Sequence, residues 1–417
     1  MRQKHHNRRG FALVIVLSLM TILVLIIYAI SLIGRVDNQL GATAVYQTQA
    51  RQNALLGLRL SLAKLQQTAG ALSSVTGSAE VLSTSLPENS RWTGVWQNLS
   101  ATPIWLVSGE SLPSDFSASF SFGATSGSNP PPVISDLQDN VVLVGNGSTN
   151  TTASRYLSGD AVLVPKEMIS VQSASSSLTV ELGHYAYWVG DEGVKLSAQL
   201  PGVNPPPSPA PSVHGINKIE YSWTPDTSNL ANVVSYEQLS ESGAGSTTRK
   251  TTFHSVTLQH LGFIAGNIQR TGLVNVNTAL SRVWQGVAGT FDSGTTLYRR
   301  RNFANEIIDA SGSGPYLTVD EFLTSAALEN AVDRLSGVTV AEFRSVMEDW
   351  FTVRSDTFRI RAYGDAMNPA DEGVAGATPE SVAYCEAIVQ RTNQDAPLGN
   401  GKKFVITYFR WLGPDDI

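Results

Sequence analysis

The sequence predicts an α+β fold in which a long N-terminal helix, membrane-spanning and then amphipathic, packs on an antiparallel β-rich domain carrying a helical insertion. Three observations predict it. Phe11 to Ile33 is an uncharged run interrupted only by Ser18, Thr21, Tyr28 and Ser31. Apolar residues then recur from Val36 to Leu65 at mostly three- and four-residue steps, the period of one helix face. Near the C-terminus, Thr357-Phe-Arg-Ile-Arg-Ala-Tyr363 alternates as a strand does.

The first run spans about 30 Å as a helix, the thickness of a bilayer's hydrocarbon core. Arg2, Lys4, Arg8 and Arg9 precede it, whereas Arg35 and Asp37 nearly cancel after it. The positive-inside rule therefore predicts a single-pass protein with a cytoplasmic N-terminus and an extracytoplasmic bulk. Inner-membrane lipid is the expected first partner. A secretory signal has a shorter apolar core and a small-residue cleavage site, which this run lacks; an uncleaved anchor stays open. The helix should continue to Ala69, with Gly70 as its C-cap, giving a rod on the order of 90 Å from Phe11.

Composition narrows the class of protein further. Charged residues make up 15% of 417 residues, well below the usual quarter, and the net charge of −6 provides no basic footprint for nucleic acid. One cysteine, Cys385, excludes an intramolecular disulfide. It sits in the apolar run Val382–Val389 and reads as a buried, inert thiol.

Residues 71–200 read as a β-rich region, with strands at Gly94–Gln97, Ile104–Val107, Val141–Val144, Ala161–Val164, Leu178–Leu182 and Tyr185–Val189. Residues 201–213, with Pro205-Pro-Pro207, form a Pro-rich linker. Residues 214–350 are mixed, with helices expected at Glu237–Glu241, Ala304–Ile308, Val319–Asn330 and Val340–Trp350. Thr318 with Glu321, and Thr339 with Glu342, have the spacing of capping boxes. Residues 351–417 return to strands at 357–363, 382–389 and 404–411, an antiparallel meander expected to pack on the Val36–Leu65 stripe. Phe358, Ile360 and Ala362 lie on one face of the first strand, Arg359 and Arg361 on the other.

No catalytic, cofactor or metal constellation stands out. Asp191 and Glu192 are adjacent, so on a strand they point to opposite faces, and structural ion pairing with Lys195 outweighs acid–base work. His254 and His260 are spaced poorly for a shared metal, and His5 and His6 lie in the N-terminal segment. Arg299-Arg-Arg301 reads as a solvated face. Asn98, Asn146 and Asn150 head common acceptor tripeptides for glycosylation.

Arg9-Gly10-Phe11-Ala-Leu-Val-Ile15 resembles a prepilin-type leader, and a helix with an apolar half and an amphipathic half is the layout of a type IV pilin. The resemblance implies a leader of residues 1–10, cut by a prepilin-type peptidase between Gly10 and Phe11, a transmembrane helix over 11–33 and its amphipathic continuation over 34–70. Further segments resemble the Verru_Chthon cassette protein A family, a pilin-like group. With Arg9–Leu19 they are Ala50-Arg-Gln-Asn-Ala54 with Leu62-Ala-Lys-Leu-Gln66, Arg91-Trp-Thr-Gly-Val-Trp96, Tyr185–Lys195, Asp356–Gly364, Cys385-Glu386, Val389-Gln-Arg391 and Phe409–Leu412. Asp191-Glu-Gly-Val-Lys195 followed by Asn275-Val-Asn-Thr-Ala279 is similar, more distantly, to minor pseudopilin K of type II secretion, although the Pro-rich segment widens the spacing.

Pilins usually carry Glu at the fifth mature residue, where it meets the neighbouring subunit's amino terminus. Here that residue is Ile15. Minor pseudopilin K departs in the same way and is read as a tip subunit. The resemblance thus implies a non-enzymatic initiating or tip subunit whose partners are other pilin-like subunits, with no cofactor. A membrane-anchored binding protein or adhesin is the alternative, and a tethered enzyme a more remote one.

Overall fold

The computed structural model describes residues 9–82, 89–97, 102–109, 139–149, 160–172, 179–197, 250, 252–258, 262–264, 268–270, 273–291, 296–310, 314–371, 378–397 and 401–417. The leader before Arg9, the linker 201–213, the helix expected at 237–241, His260, Asn98 and Asn150 lie outside these residues.

Helix α1 runs unbroken over Arg9–Ala69, 61 residues. Sixteen strands follow in chain order among the described residues. Three short ones form a sheet in the order β1 (Val75–Ser78), β2 (Thr93–Trp96), β3 (Ile104–Trp105). β4 (Asn140–Val144) pairs with β5 (Val162–Pro165). β6 (Glu167–Gln172) and β7 (Thr179–Asp191) join the central sheet, while β8 (Leu196–Ser197) pairs with β9 (Val256–Thr257). β10 (Gly262–Ile264) pairs with β11 (Ile268–Arg270), and β12 (Val274–Asn275) with β13 (Phe351–Thr352). β14 (Thr357–Ala366), β15 (Ser381–Asp395) and β16 (Lys402–Leu412) complete the central sheet, whose order is β16-β15-β14-β7-β6, antiparallel throughout.

The expected C-terminal meander is present, and β7 extends it on the other side of β14. The segments expected at 178–182 and 185–189 are one strand. A register shift opposite Ile169 and Ser170, with Gly183 at φ +140°, lets β7 continue past the irregularity.

Between β12 and β13 the described residues form α2 (Ser281–Ala288), α3 (Leu297–Asp309), α4 (Val319–Leu323), α5 (Ala326–Val332) and α6 (Val340–Met347). Thr318 and Thr339 cap α4 and α6 as read, their hydroxyls accepting from Glu321 N at 3.0 Å and Glu342 N at 3.2 Å. The single helix expected over 319–330 is two. Ser325 breaks it by capping a new start, accepting from Leu328 N at 3.2 Å. The helix expected at 304–308 begins earlier, so Arg299–Arg301 ride its first turns.

Two cores flank the central sheet. On one face Ala54, Leu58, Leu65 and Ala69 of α1 meet Phe358, Ile360, Ala362, Cys385, Ala387 and Val389. On the other, Trp188 and Tyr363 belong to a larger cluster that contains Leu143, Phe253, Trp284, Phe322 and Phe343. The middle of the sheet, β14 above all, is therefore covered on both sides, while β16 and β6 at its edges keep exposed side chains.

Candidate functional site: an exposed helical arm and a sheet with two buried faces

The stripe from Val36 to Leu65 is expected to lie on the sheet throughout, but only its distal part does. Val36, Leu40 and Val45 are exposed, Leu40 by 63%, and the first fully buried helix residue is Ala50. Upstream, every large apolar side chain from Leu13 to Ile33 is exposed. The helix is long and apolar enough to cross a membrane, with a mean hydropathy of 3.1 over its most apolar stretch, none of it buried. The arm's hydroxyls fold back onto the helix: Ser18 donates to Ile15 O at 2.9 Å and Thr21 to Ser18 O at 2.8 Å. Donors satisfied in this way cost little in hydrocarbon. Gly10 and Phe11 lie in the first turn of α1, and Ile15 points outward, 47% exposed.

Where the arm meets the domain, contact is tight. Gln49 Nε2 donates to Leu182 O and Asn53 Nδ2 to Asp365 O, both at 2.6 Å. A side chain on Gly364 would place Cβ 2.1 Å from Ala54 N and 2.4 Å from Ala50 O, so only glycine lets β14 touch the helix backbone here. Buried Lys64 donates to Val107 O at 3.0 Å. At the distal end Gln66 clamps the edge strand, donating to Lys402 O at 2.8 Å and accepting from Phe404 N at 2.9 Å. Gly70 O accepts from Lys402 N at 2.9 Å, and Gly401, at φ +75°, makes that approach possible.

The opposite face holds ions rather than solvent. Arg359 and Arg361, which alternation places away from α1, are both buried. Glu192 pairs with Lys195 at 2.6 Å and with Arg359 at 2.9 Å; Glu386 receives Arg359 and Arg361 at 2.9 Å and Arg410 at 3.0 Å. Phe253 caps this network, its ring centre 4.8 Å from Arg361 and 5.2 Å from Lys195. Burial alone would raise both acids, but Arg359 and Lys195 hold Glu192 down at about 2, and three arginines hold Glu386 lower still.

Asp191 faces elsewhere, as strand geometry requires. It accepts from Gly193 N at 2.7 Å, and burial pushes its carboxyl up to about 6. Asn275, far away in sequence, donates its N–H to Gly193 O at 2.8 Å and its side-chain amide to Thr76 O at 2.9 Å. Glu80 accepts from Ala279 N at 3.0 Å and pairs with Arg91. The stretches 191–195 and 275–279 thus meet in space, tied through β1. Their spacing in sequence gave no sign of Thr76 or Glu80, which reading motifs alone missed.

The cavity beside them, lined by Glu80, Arg91, Asp191, Lys195 and His254, measures about 20 Å³, room for one water rather than an organic substrate. His254 is buried against Asp160 O at 2.6 Å, and burial lowers its imidazole to about 3, so it stays neutral. No cluster of three or more metal-binding side chains occurs among the described residues. Cys385 is buried on the α1 face, its thiol pushed up to about 12 by burial.

Arm and sheet together define a class: an α+β protein whose long N-terminal helix is part free and part core. No family model and no curated protein matches the chain, so the likeness to the cassette family rests on the quoted residues. Among solved structures, the GspK-GspI-GspJ complex of the enterotoxigenic Escherichia coli type 2 secretion system is 11% identical, over 60% of this chain and 83% of that one. Its TM-score of 0.34 is too low to establish a common fold.

Proposed function

We propose that this chain is a non-enzymatic, pilin-like structural subunit, anchored in the inner membrane by α1, that starts or caps a type IV pilus-like or type II secretion-like assembly. The observation carrying this reading is the division of α1. Residues 50–69 are locked into the domain, while Leu13–Ile33 present apolar side chains all round. Such a surface is stable only in lipid or against other apolar helices. The same helix thus supports both a bilayer anchor and a helix bundle with other pilin-like subunits.

A terminal position is supported by Ile15. A carboxylate there would need a cationic partner in the bundle, whereas isoleucine needs none, which suits a helix that meets no neighbour's amino terminus. The bulk of a 417-residue chain also fits an end better than a close-packed shaft. Copy number tests this. Quantitative proteomics should find the chain far below any small pilin-like partner in the same cell. Equal abundance, with filaments labelled along their length by antibody to the domain, would remove the terminal assignment.

A further inference from the structure

At the end of the domain opposite the arm, immediately after α1, lies a cleft of about 330 Å³, near the lower end of the range for small-molecule sites. Val75, Leu273 and Phe351 form its buried floor, with Leu317 and Val353 as walls. Leu72 stands at the mouth, 63% exposed. Arg354 is the one charged residue lining it among those described.

Among the described residues, two guanidinium groups here draw on one carboxylate. Asp356 is shared by two guanidinium groups, with Arg391 Nε at 3.0 Å and Arg354 Nε at 3.7 Å. Arg354 spends Nη1 on Leu72 O at 2.9 Å and turns its buried Nε towards Asp356, which leaves Nη2, on a side chain 20% exposed, without a hydrogen bond among the described residues. The excess positive charge reaches Arg391, whose pKa burial lowers to about 10 with Arg354 adding to the fall. An apolar cavity with an under-used guanidinium at its rim matches a ligand with a hydrocarbon body and one anionic end.

We propose that this cleft binds a small amphiphilic carboxylate, its tail against Phe351 and Leu317 and its carboxylate on Arg354. Two sources offer that chemistry, a free medium-chain acid and a peptide ending in an apolar residue. The full chain in lipid nanodiscs can be photolabelled with a diazirine analogue of octanoate and the labelled peptides mapped by mass spectrometry. Labelling should fall within residues 72–75 and 351–354 and be competed by octanoate but not by octanol. Arg354→Gln should weaken octanoate competition about tenfold or more, the effect of one charge-assisted hydrogen bond. Should that variant fold poorly, Leu72→Glu, at an exposed position, should weaken it by placing like charge at the mouth. Competition by an acetylated peptide ending in leucine at far lower concentration than octanoate would keep the site and assign a chain terminus as its source. Labelling scattered over the surface, equal competition by octanol, or no effect of either variant would overturn the proposal.

Discussion

Phe358 shows how much one side chain says about this fold. Alternation in 357–363 places it on the α1 face; in the structure it is fully buried there, edge-on to Phe404 with ring centres 5.7 Å apart. Phe358→Ala should cost about 3–5 kcal/mol in urea unfolding, the range for emptying an aromatic core site. The same alternation puts Arg359 and Arg361 opposite, which is correct. That their face is buried was not legible, because the acids and the aromatic cap that neutralise them come from residues 192, 253 and 386. Asp191 is a second residue-scale test. Its carboxyl is pushed up to about 6 when folded, so the folded protein binds this proton more tightly than the unfolded chain does. The stability it contributes is full below the ordinary aspartate range and is lost as pH rises through about 6. Wild type should therefore gain stability relative to Asp191→Asn as pH falls from 7 to 4. A gap independent of pH would mean that Asp191 titrates normally.

Among the elements, α1 and the C-terminal meander were the most legible, because long periodic patterns are set by local chemistry. The paired two-residue strands were not, since each is held by a partner far away, as β12 is by β13. The split between α4 and α5 was legible in principle: Ser325 precedes an apolar turn with Glu329 four residues on, a start signal inside an otherwise helical run. The joint between α1 and β14 depends on Gly364. Gly364→Ala would press a methyl group into the helix backbone and should cost about 1–3 kcal/mol, visible as a lowered melting temperature. An unchanged value would mean that helix and sheet can separate there without loss.

For the whole molecule, α1 divides where it enters the domain and not at its C-terminal end. Residues 50–69 cover Phe358, Ile360 and Val389, and removing them would bare one face of the central sheet. A fragment of residues 46–417 should be soluble and monomeric by light scattering, whereas 71–417 should aggregate. With Cys385 buried, reducing agent should not shift the longer fragment's melting temperature. Sequence alone did not locate the division, since apolar residues recur at mostly three- and four-residue steps on both sides of it, from Val36 to Leu65. Small residues do not mark it either: Ala50, Ala54 and Gly57 allow close packing, but Gly41, Ala42 and Ala44 in the exposed part are as small.

If α1 is the processed, pilin-like anchor proposed above, mass spectrometry of the native protein's N-terminus will show it. Arg9-Gly10-Phe11 ahead of the exposed apolar arm predicts a mature chain that begins at Phe11, with Gly10→Leu blocking the cut. Intact Met1 on most native molecules would contradict the account and leave α1 as an ordinary uncleaved anchor.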